Sequence, residues 1–361
     1  MHDSSLLVNS SEFVAAVEPA ILQARRRVLF QVMTFELDSV GRYFWDLLVR
    51  SPAEEKVLCV DAFSTAKISD DLVFSPRWVL DPDFRREAGE TRRLLRQSKL
   101  DGVRIVVTNP MGSLWRKYPF RNHKKMMVVD DQGFLGGINL SEHNFRWQDL
   151  MMRTDCRALV DALAQDFYRT LDGVNASHAR STPLGRLFFL DGRRSRSEYD
   201  ALFDIIGRAR ESVDVVTPYV TDPLLQRLAE LPPSVRVRVI NPAHNNKAVL
   251  QQALFRAASG SNLEIFLYQP EMCHVKAILV DGSQLILGSC NFDLVAYDLQ
   301  QELVLCTEDP ALVDQFRQRV LAPLLANSLP AKSAPARLYH RGGLVVQLLQ
   351  WCVSVLSRLP R

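Results

Sequence analysis

Short apolar runs separated by amphipathic stretches recur along the whole chain. In the first half these runs cover residues 28–35, 56–62, 103–108, 126–129 and 133–135, and in the second half residues 212–217, 235–241, 263–268, 277–280 and 285–287. Because they are short and rich in Val, Ile and Leu, they predict strands buried within sheets. Residues 200–210 and 223–231 have the spacing of amphipathic helices that cover such sheets. The pattern predicts an α/β fold.

The two halves repeat one motif, HxKxxxxD, which is followed in each case by a small-residue turn and an Asn. The motif occupies residues 123–130 and again residues 274–281, an offset of 151. Upstream, a helix end that runs into an apolar strand recurs between Ala24 and Ala209, an offset of 185. The first half therefore holds 34 additional residues (185 − 151 = 34). Strand landmarks place most of them between residues 60 and 103, and a smaller share in residues 108–120.

This duplication predicts two similar α/β sandwich domains related by pseudo-twofold symmetry. We expect the first domain in residues 1–175, a linker rich in Gly, Ser, Pro and Arg in residues 176–197, and the second domain in residues 198–327. Residues 328–361 are predicted to hold a second linker and a terminal helix. A chain of 361 residues with 47% hydrophobic content is long enough for two cores.

The motif also places its functional groups on one side of the chain. Side chains alternate in an extended segment, so His123 and Lys125 point one way and Lys124 the other, and His274 and Lys276 share a side in the same manner. With the active site at the interface of the two domains, two imidazoles and two ammonium groups would surround one point. That set suits a phosphodiester: one imidazole attacks phosphorus, the other protonates the leaving alkoxide, and the lysines neutralise the phosphate oxygens.

Two such motifs with matching turns resemble the signature of the phospholipase D superfamily. The sequence is most similar in appearance to bacterial cardiolipin synthase-like phosphatidyltransferases, and the resemblance covers residues 14–321. It implies a covalent phosphohistidine intermediate, with His123 as the favoured nucleophile. It also implies that Asp130 and Asp281 support the motif without being nucleophiles. An Asp at a strand end can equally cap a turn or hold a neighbouring basic residue.

The resemblance extends to four residues beyond the two motifs. Asp149, ten residues after Asn139, and Glu302, eleven residues after Asn291, stand where family members carry a carboxylate that hydrogen-bonds the catalytic imidazole. Such a partner fixes the imidazole tautomer and stabilises the imidazolium. Asn139 and Asn291 are expected to offer amide donors to the phosphate. The Gly residues of the turns predict a close approach of two backbones.

Composition narrows the chemistry further. No group of His, Cys and carboxylates has the spacing of a dedicated metal site, so we expect neither a metal nor another cofactor. The six cysteines lack a CxxC pair and predict buried, reduced thiols. A formal charge of +3 is too small to indicate wholesale nucleic-acid binding. Residues 1–11 lack the basic stretch and apolar run of a secretory signal.

The residues define the substrate less sharply. Phosphatidyl transfer, phospholipid hydrolysis and nucleic-acid cleavage all use this kind of site. The first-half insertions carry seven basic residues from Arg77 to Lys99, followed by Trp-Arg-Lys-Tyr at residues 115–118. These features fit an interfacial loop that meets anionic lipid headgroups, a path for single-stranded nucleic acid, or a plain solvated helix.

Residues 344–359 predict an amphipathic C-terminal helix. Its polar residues recur every three or four positions, at Gln347, Gln350, Ser354 and Arg358. The run is shorter than the roughly 20 residues that span a bilayer. We expect the helix to lie in a membrane interface, with packing on the protein or on a second subunit as the alternative.

The sequence therefore predicts a phosphatidyltransferase that acts on phosphatidylglycerol or a similar phospholipid. We expect it in the cytoplasm, peripheral on the inner face of the cell membrane, with neither a signal peptide nor a transmembrane span. The alternatives are a phospholipase D hydrolase, a less favoured nucleic-acid phosphodiesterase, and a catalytically inactive binding module. The two intact pairs of His and Lys argue against the last of these. The sequence leaves the acceptor alcohol and the oligomeric state undefined.

Overall fold

The computed structural model describes residues 2–69, 71–73 and 75–331, and residues 348, 352, 353, 355 and 356 near the C-terminus. The chain divides into two compact units. The first comprises Met1–Trp147 and Met151–Asn175, and the second comprises Gln148–Leu150 and Ala176–Arg361. Most of the predicted helix at residues 344–359 lies outside the described residues.

The first unit is a mixed sheet with helices on both faces. Its strands are β1 (Ser4–Val8), β2 (Arg27–Val32), β3 (Glu55–Asp61), β4 (Lys67–Ile68), β5 (Asp71–Leu72), β6 (Lys99–Leu100), β7 (Val103–Thr108), β8 (Met126–Val129), β9 (Gln132–Gly136) and β10 (Leu150–Thr154). Its helices are α1 (Asn9–Gln23), α2 (Ser39–Arg50), α3 (Pro76–Leu80), α4 (Pro82–Leu95), α5 (Glu142–Phe145) and α6 (Arg157–Leu171). The main sheet has the order β1-β10-β9-β8-β2-β3-β7-β6, and β4 pairs with β5.

The second unit has the same kind of architecture. Its strands are β11 (His178–Thr182), β12 (Gly185–Asp191), β13 (Ser212–Val216), β14 (Arg236–Pro242), β15 (Leu263–Tyr268), β16 (Ala277–Val280), β17 (Gln284–Gly288), β18 (Gln301–Thr307) and β19 (Ser328–Pro330). Its helices are α7 (Arg196–Gly207), α8 (Leu224–Ala229), α9 (Ala248–Ala258), α10 (Leu294–Asp298), α11 (Pro310–Gln315) and α12 (Ala322–Ala326). A π-helical segment, Phe316–Leu321, joins α11 to α12. The sheet order is β11-β12-β18-β17-β16-β13-β14-β15-β19.

The central strands of the two sheets are equivalent. In the first unit β2, β3 and β7 are parallel neighbours, while β8, β9 and β10 extend the sheet by antiparallel pairing. In the second unit β13, β14 and β15 are parallel, and β16, β17 and β18 are antiparallel. The α/β class and the duplication inferred from the motifs are therefore confirmed, and all ten predicted strands are present.

Residues 176–197, predicted as a linker, instead form part of the second sheet. Strands β11 and β12 make an antiparallel hairpin, and β12 pairs along its length with β18. The apolar run Leu187–Leu190 is buried in this hairpin, because β12 lies inside the sheet while β11 takes the edge. Gly185 permits the approach, since a Cβ there would lie 2.2 Å from the carbonyl oxygen of Cys306.

The additional residues of the first half lie where the sequence offsets placed them. Between β3 and β7 they form a small subdomain of β4, β5, α3, α4 and β6, with its own buried cluster of Ile68, Val73, Phe84 and Ala88. At the equivalent position between β14 and β15 the second unit has only α9. In the part of the chain that the structure describes, no helix is both long and apolar enough to cross a bilayer. All six cysteines are free thiols.

Candidate active site

The second motif is held by a short backbone bridge to a segment from far earlier in the sequence. His274 and Lys276 immediately precede β16, and the backbone N–H of His274 donates to the carbonyl oxygen of Gln148 at 2.7 Å. In return, the N–H of Gln148 donates to the carbonyl of Met272 at 3.0 Å. This pairing places the next residue, Asp149, beside the motif, and residues 148–150 belong to the second compact unit.

Asp149, His274 and Lys276 form one buried cluster. The imidazole Nδ1 lies 2.6 Å from Asp149 Oδ2 and 2.7 Å from Lys276 Nζ. Lys276 also donates to the carbonyl oxygen of His274. Because the Asp149 carboxylate can only accept, the 2.6 Å contact is a hydrogen bond only when Nδ1 carries the ring proton, and we assign the proton of the neutral ring there. The other nitrogen, Nε2, is then the atom suited to attack or to proton transfer.

The charges in this cluster depend on one another. Burial alone would raise the pKa of Asp149, but Lys276 and His274 outweigh it and the pKa of this carboxyl is lowered. Burial lowers the pKa of Lys276 to about 8, although Asp149 and Glu302 oppose the shift. The cluster therefore holds a carboxylate that stays charged and an ammonium that loses its proton in the mildly alkaline range.

Glu302 and Asn291 lie on the neighbouring β17–β18 side of the same unit. Glu302 is fully buried on β18, and its carboxylate accepts a hydrogen bond from the Ser289 hydroxyl. The turn between the strands needs Gly288, since a Cβ there would lie 2.1 Å from the carbonyl oxygen of Leu303. Asn291 is buried, and its Oδ1 has no hydrogen-bond partner in the structure.

The sequence patterns did not assign a role to Tyr219, Asn246 and Lys247, which lie together beside the motif. The Tyr219 ring stands edge-on to the His274 imidazole, with ring centroids 6.5 Å apart. Its hydroxyl donates to Asn246 Oδ1, and Lys247 Nζ lies 3.8 Å from the centre of its ring. Thr217 fixes the loop by donating to the carbonyl oxygens of Tyr219 and Asn291. Tyr219 and Asn246 lie in segments of the sequence that resemble cardiolipin synthases, whereas no sequence signal pointed to Lys247.

The first motif has the same local geometry. His123 and Lys125 are buried just before β8, and Lys125 Nζ donates to the carbonyl oxygen of His123 at 2.9 Å. Lys124 points to the opposite side, as the alternation predicts. There it forms a buried ion pair with Asp166 of α6 at 2.6 Å and bonds Thr170 at 2.9 Å. Lys124 is therefore a packing residue of the helix–sheet interface rather than a solvated charge.

A buried ion pair fixes the approach to the first motif. Arg121 Nη1 contacts Asp61 Oδ1 at 2.8 Å, and Asp61 Oδ2 accepts from the backbone N–H of Asn122 at 2.6 Å. Burial raises the pKa of Asp61 to about 6 despite the guanidinium. Gln31 donates to Asn122 Oδ1 at 3.1 Å. Arg121 is therefore a buried structural residue that fixes the segment leading into the motif.

The two Asn residues differ in their surroundings. The Asn139 amide is engaged by the protein, since its Oδ1 accepts from the backbone N–H of Thr34 at 3.3 Å and its Nδ2 donates to Asn144 at 3.4 Å. Its amide group thus has protein partners before any phosphate arrives. Asn291 keeps a buried carbonyl oxygen without one.

Asp130 and Asp281 act on the backbone. Asp130 accepts from the N–H groups of residues 25–27 at 2.8–2.9 Å, and Asp281 accepts from those of residues 210–212 at 2.8–3.1 Å. Partial burial would raise the pKa of each carboxyl, but these hydrogen bonds lower it. Both aspartates adopt positive φ angles, 47° and 48°. Each one clamps the entry of the strand next to its motif, β2 or β13.

Among the residues that the structure describes, one acidic group has the geometry of a possible cation site. Ligand atoms of Glu36, Asp38 and Glu87 lie within 4.8 Å of one another. Asp38 already caps α2 by accepting from the N–H groups of Val40 and Gly41. The group contains neither of the motif histidines, and the expected independence of metal stays a prediction.

Comparison with known proteins agrees with the resemblance to cardiolipin synthases seen in the sequence. Residues 202–322 match the family described as cardiolipin synthase, PLD-like domain. The chain is 23% identical to cardiolipin synthase 1 of Bacillus anthracis over 83% of this chain and 62% of the relative, and 28% identical to cardiolipin synthase A of Pseudomonas entomophila over 88% and 67%. It thus spans about 62% of the length of the Bacillus relative. The fold is similar to that of phosphatidylserine synthase from Haemophilus influenzae, with a TM-score of 0.73 at 14% identity over 99% of this chain and 95% of that one.

The repeated motif resembles the signature of the phospholipase D superfamily, and residues 202–322 are similar to its cardiolipin synthase, PLD-like domain. The curated proteins to which the chain is similar are bacterial cardiolipin synthases.

Proposed function

We propose that this protein is a phosphatidyltransferase of the cardiolipin synthase type. The observation that carries the proposal is the buried His274, which lies between the Asp149 carboxylate and the Lys276 ammonium, in a motif that the chain repeats at His123 and Lys125. A nucleophilic imidazole, an acid–base imidazole and fixed positive charge are what phosphodiester exchange requires. The sequence similarity to cardiolipin synthases supports a phospholipid as the substrate.

In the proposed reaction His123 attacks the phosphorus of phosphatidylglycerol, and the bond from phosphorus to the glycerol headgroup breaks. His274, with its Nδ1 proton held by Asp149, donates the Nε2 proton of its imidazolium to the departing glycerol oxygen. It then removes the proton from the hydroxyl of a second phosphatidylglycerol. That oxygen displaces the histidine from phosphorus, which regenerates the enzyme and forms a product with two phosphatidyl groups on one glycerol, cardiolipin. Lys125 and Lys276 neutralise the phosphate throughout.

The test is a product analysis with matched variants. Purified protein is incubated with phosphatidylglycerol vesicles and, separately, with single-stranded DNA. We expect cardiolipin and glycerol, and we expect His123→Ala and His274→Ala each to lower turnover by several powers of ten, as tightly coupled catalytic groups do. Quenching in alkali, in which a phosphohistidine is stable, should leave a labelled phosphoryl adduct on wild type and none on His123→Ala. Lys124→Met, in the same segment, serves as the non-catalytic control.

The other outcomes are specific. Phosphatidic acid as the sole lipid product would make the protein a hydrolase, and cleavage of DNA with no lipid product would make it a nucleic-acid phosphodiesterase. If either His variant keeps more than a tenth of wild-type turnover, the paired-histidine mechanism is wrong.

A further inference from the structure

The first-half insertions expose apolar side chains to an unusual degree. Of the ten large apolar side chains most exposed among the described residues, six lie between residues 72 and 115. Leu114 is 85% exposed, Leu80 79% and Val79 71%. Single exposed apolar residues are ordinary on a protein surface, but a concentration of them in one region marks a surface that binds something.

Three of these six side chains belong to one ridge, which we call the insertion surface and define as Phe63, Lys67, Leu72, Leu114, Trp115 and Tyr118. Trp115 stacks on Tyr118 at 5.6 Å and 17°, and Tyr118 contacts Phe63 at 6.2 Å. Lys67 lies over the Phe63 ring at 5.5 Å and pairs with Leu72 across the β4–β5 hairpin. Helix α3, with Val79 and Leu80, follows directly after this hairpin.

The stacked rings hold the tip of this surface outward. Leu114 and Trp115 both have positive φ angles, 52° and 60°, and the Leu114 side chain is directed to solvent. The Trp115 ring is braced by Tyr118 and still 38% exposed. The tip thus presents Leu114 and part of Trp115 to solvent.

The charges at the tip differ from those of the neighbouring helices. Arg77 pairs with Asp71 and Asp81 at 3.1 Å, and Arg86 pairs with Asp83 at 2.7 Å, so these two arginines of α3 and α4 have acidic partners within the subdomain. Arg116 and Lys117, next to the apolar tip, are exposed. The tip thus joins aliphatic, aromatic and cationic side chains.

We propose that the insertion surface docks on an anionic lipid bilayer, with Leu114 and Trp115 entering the boundary between headgroups and acyl chains. Arg116 and Lys117 would then contact the lipid phosphates. Trp favours this depth, and basic residues near it add electrostatic attraction to anionic lipid. A single-stranded nucleic acid would use the rings and the cations but would leave the aliphatic side chains without partners. The inference rests on the proposed function, since it assumes a membrane lipid as substrate.

The experiment measures binding of full-length protein to vesicles of phosphatidylglycerol and phosphatidylcholine. We expect Leu114→Ser with Trp115→Ser to weaken binding at least about tenfold, and Arg116→Glu with Lys117→Glu to weaken binding only where the vesicles are anionic. The matched control is Val174→Ser with Leu329→Ser, two residues that are 48% and 60% exposed outside the insertions. This control should bind as wild type does.

A second readout reports insertion directly. Trp115→Phe keeps an apolar ring, so it should still bind vesicles. Subtracting the fluorescence spectrum of Trp115→Phe from that of wild type gives the emission of Trp115. This emission should shift to the blue on vesicles and be quenched by brominated lipid. Trp115 emission unchanged by vesicles would overturn the proposal, and so would equal binding of the tip and control variants.

Three further outcomes would also overturn it. In sedimentation, wild type could form a dimer that the variant Leu114→Ser with Trp115→Ser does not form. Wild type could bind single-stranded DNA through these residues more tightly than it binds vesicles, or the same variant could lose turnover on a soluble diester. Failure of the proposed function has a different signature, because vesicle binding would still depend on the tip while no lipid product forms.

Discussion

Replacing Asp149 by Asn tests the catalytic geometry most directly. The carboxylate and the His274 imidazole are both buried, and the 2.6 Å contact between them holds the proton on Nδ1. A charged hydrogen bond of this kind contributes about 1.5–3 kcal/mol, which corresponds to about 10–150-fold in rate. The Asn amide can also face the ring with its NH₂ group, which favours the wrong tautomer, and in serine proteases the equivalent change costs about 10⁴-fold. We therefore expect Asp149→Asn to lower turnover by roughly 10²–10⁴-fold.

The assay is turnover of a soluble diester, bis(p-nitrophenyl) phosphate, per folded molecule at 25 °C, with folding checked by thermal melting. Asp166→Asn is the matched control, because Asp166 is a buried carboxylate that also contacts an ammonium at 2.6 Å, that of Lys124. Both variants should melt earlier, since each leaves a buried charge without its partner. Turnover of Asp166→Asn should stay within about threefold of wild type. If Asp149→Asn retains a third of wild-type turnover, Asp149 does not orient the imidazole.

Three other predictions follow from the site. Turnover should fall as the pH rises through about 8, where Lys276 loses its charge. The pKa of Lys276 is lowered from 10.5 to about 8 in the folded protein, so the folded state gains stability as the pH rises between these values and loses it as the pH falls. Activity and melting temperature should therefore respond to alkali in opposite directions. Asp281→Asn should leave a structural defect: its lowered pKa and its backbone hydrogen bonds predict a loss of about 1–3 kcal/mol at pH 7 in urea unfolding, with little difference from wild type once acid has protonated Asp281. EDTA should leave turnover of the soluble diester intact, and recovery of a lost activity by one specific metal would contradict the lysine-based mechanism.

The sequence predicted best where the hydrophobic signal is continuous. Residues 103–108, 126–129, 263–268 and 277–280 coincide residue for residue with β7, β8, β15 and β16. Strands β8 and β16 are buried along their whole length, and β7 and β15 each interrupt the apolar run with a single exposed charge, Arg104 or Glu264. The sequence of residues 176–197 predicts a linker, whereas the structure has the hairpin of β11 and β12 there. The prediction failed because β11 and the turns carry Arg, Ser and Gly, and the continuous apolar run is confined to residues 187–190. Edge strands are held by a partner strand that the local sequence does not reveal.

The site shows the same division. The spacing of the motif correctly separated Lys124 from Lys125, since alternation is a local property of the backbone. It could not decide which imidazole receives Asp149, because that depends on the bridge between Gln148 and Cys273, residues more than a hundred positions apart. Nor could it rank Asn139 against Asn291, because their difference arises from Thr34 and Asn144 packing around only one of them.

Residues 148–150 belong to the compact unit formed otherwise by Ala176–Arg361, so a cut in the chain near residue 175 would separate them from the rest of that unit. A fragment that begins at residue 176 would contain His274 and Lys276 but would lack their carboxylate. Two fragments separated at the Gly173 turn should therefore show complementation: activity would appear only on mixing, and Asp149→Asn in the N-terminal fragment would lower it by the same factor as in the full chain. By the proposed mechanism, the second copy of the repeated motif is chemically incomplete by itself. Synthesis of the first copy would supply that group before the ribosome reaches the second motif.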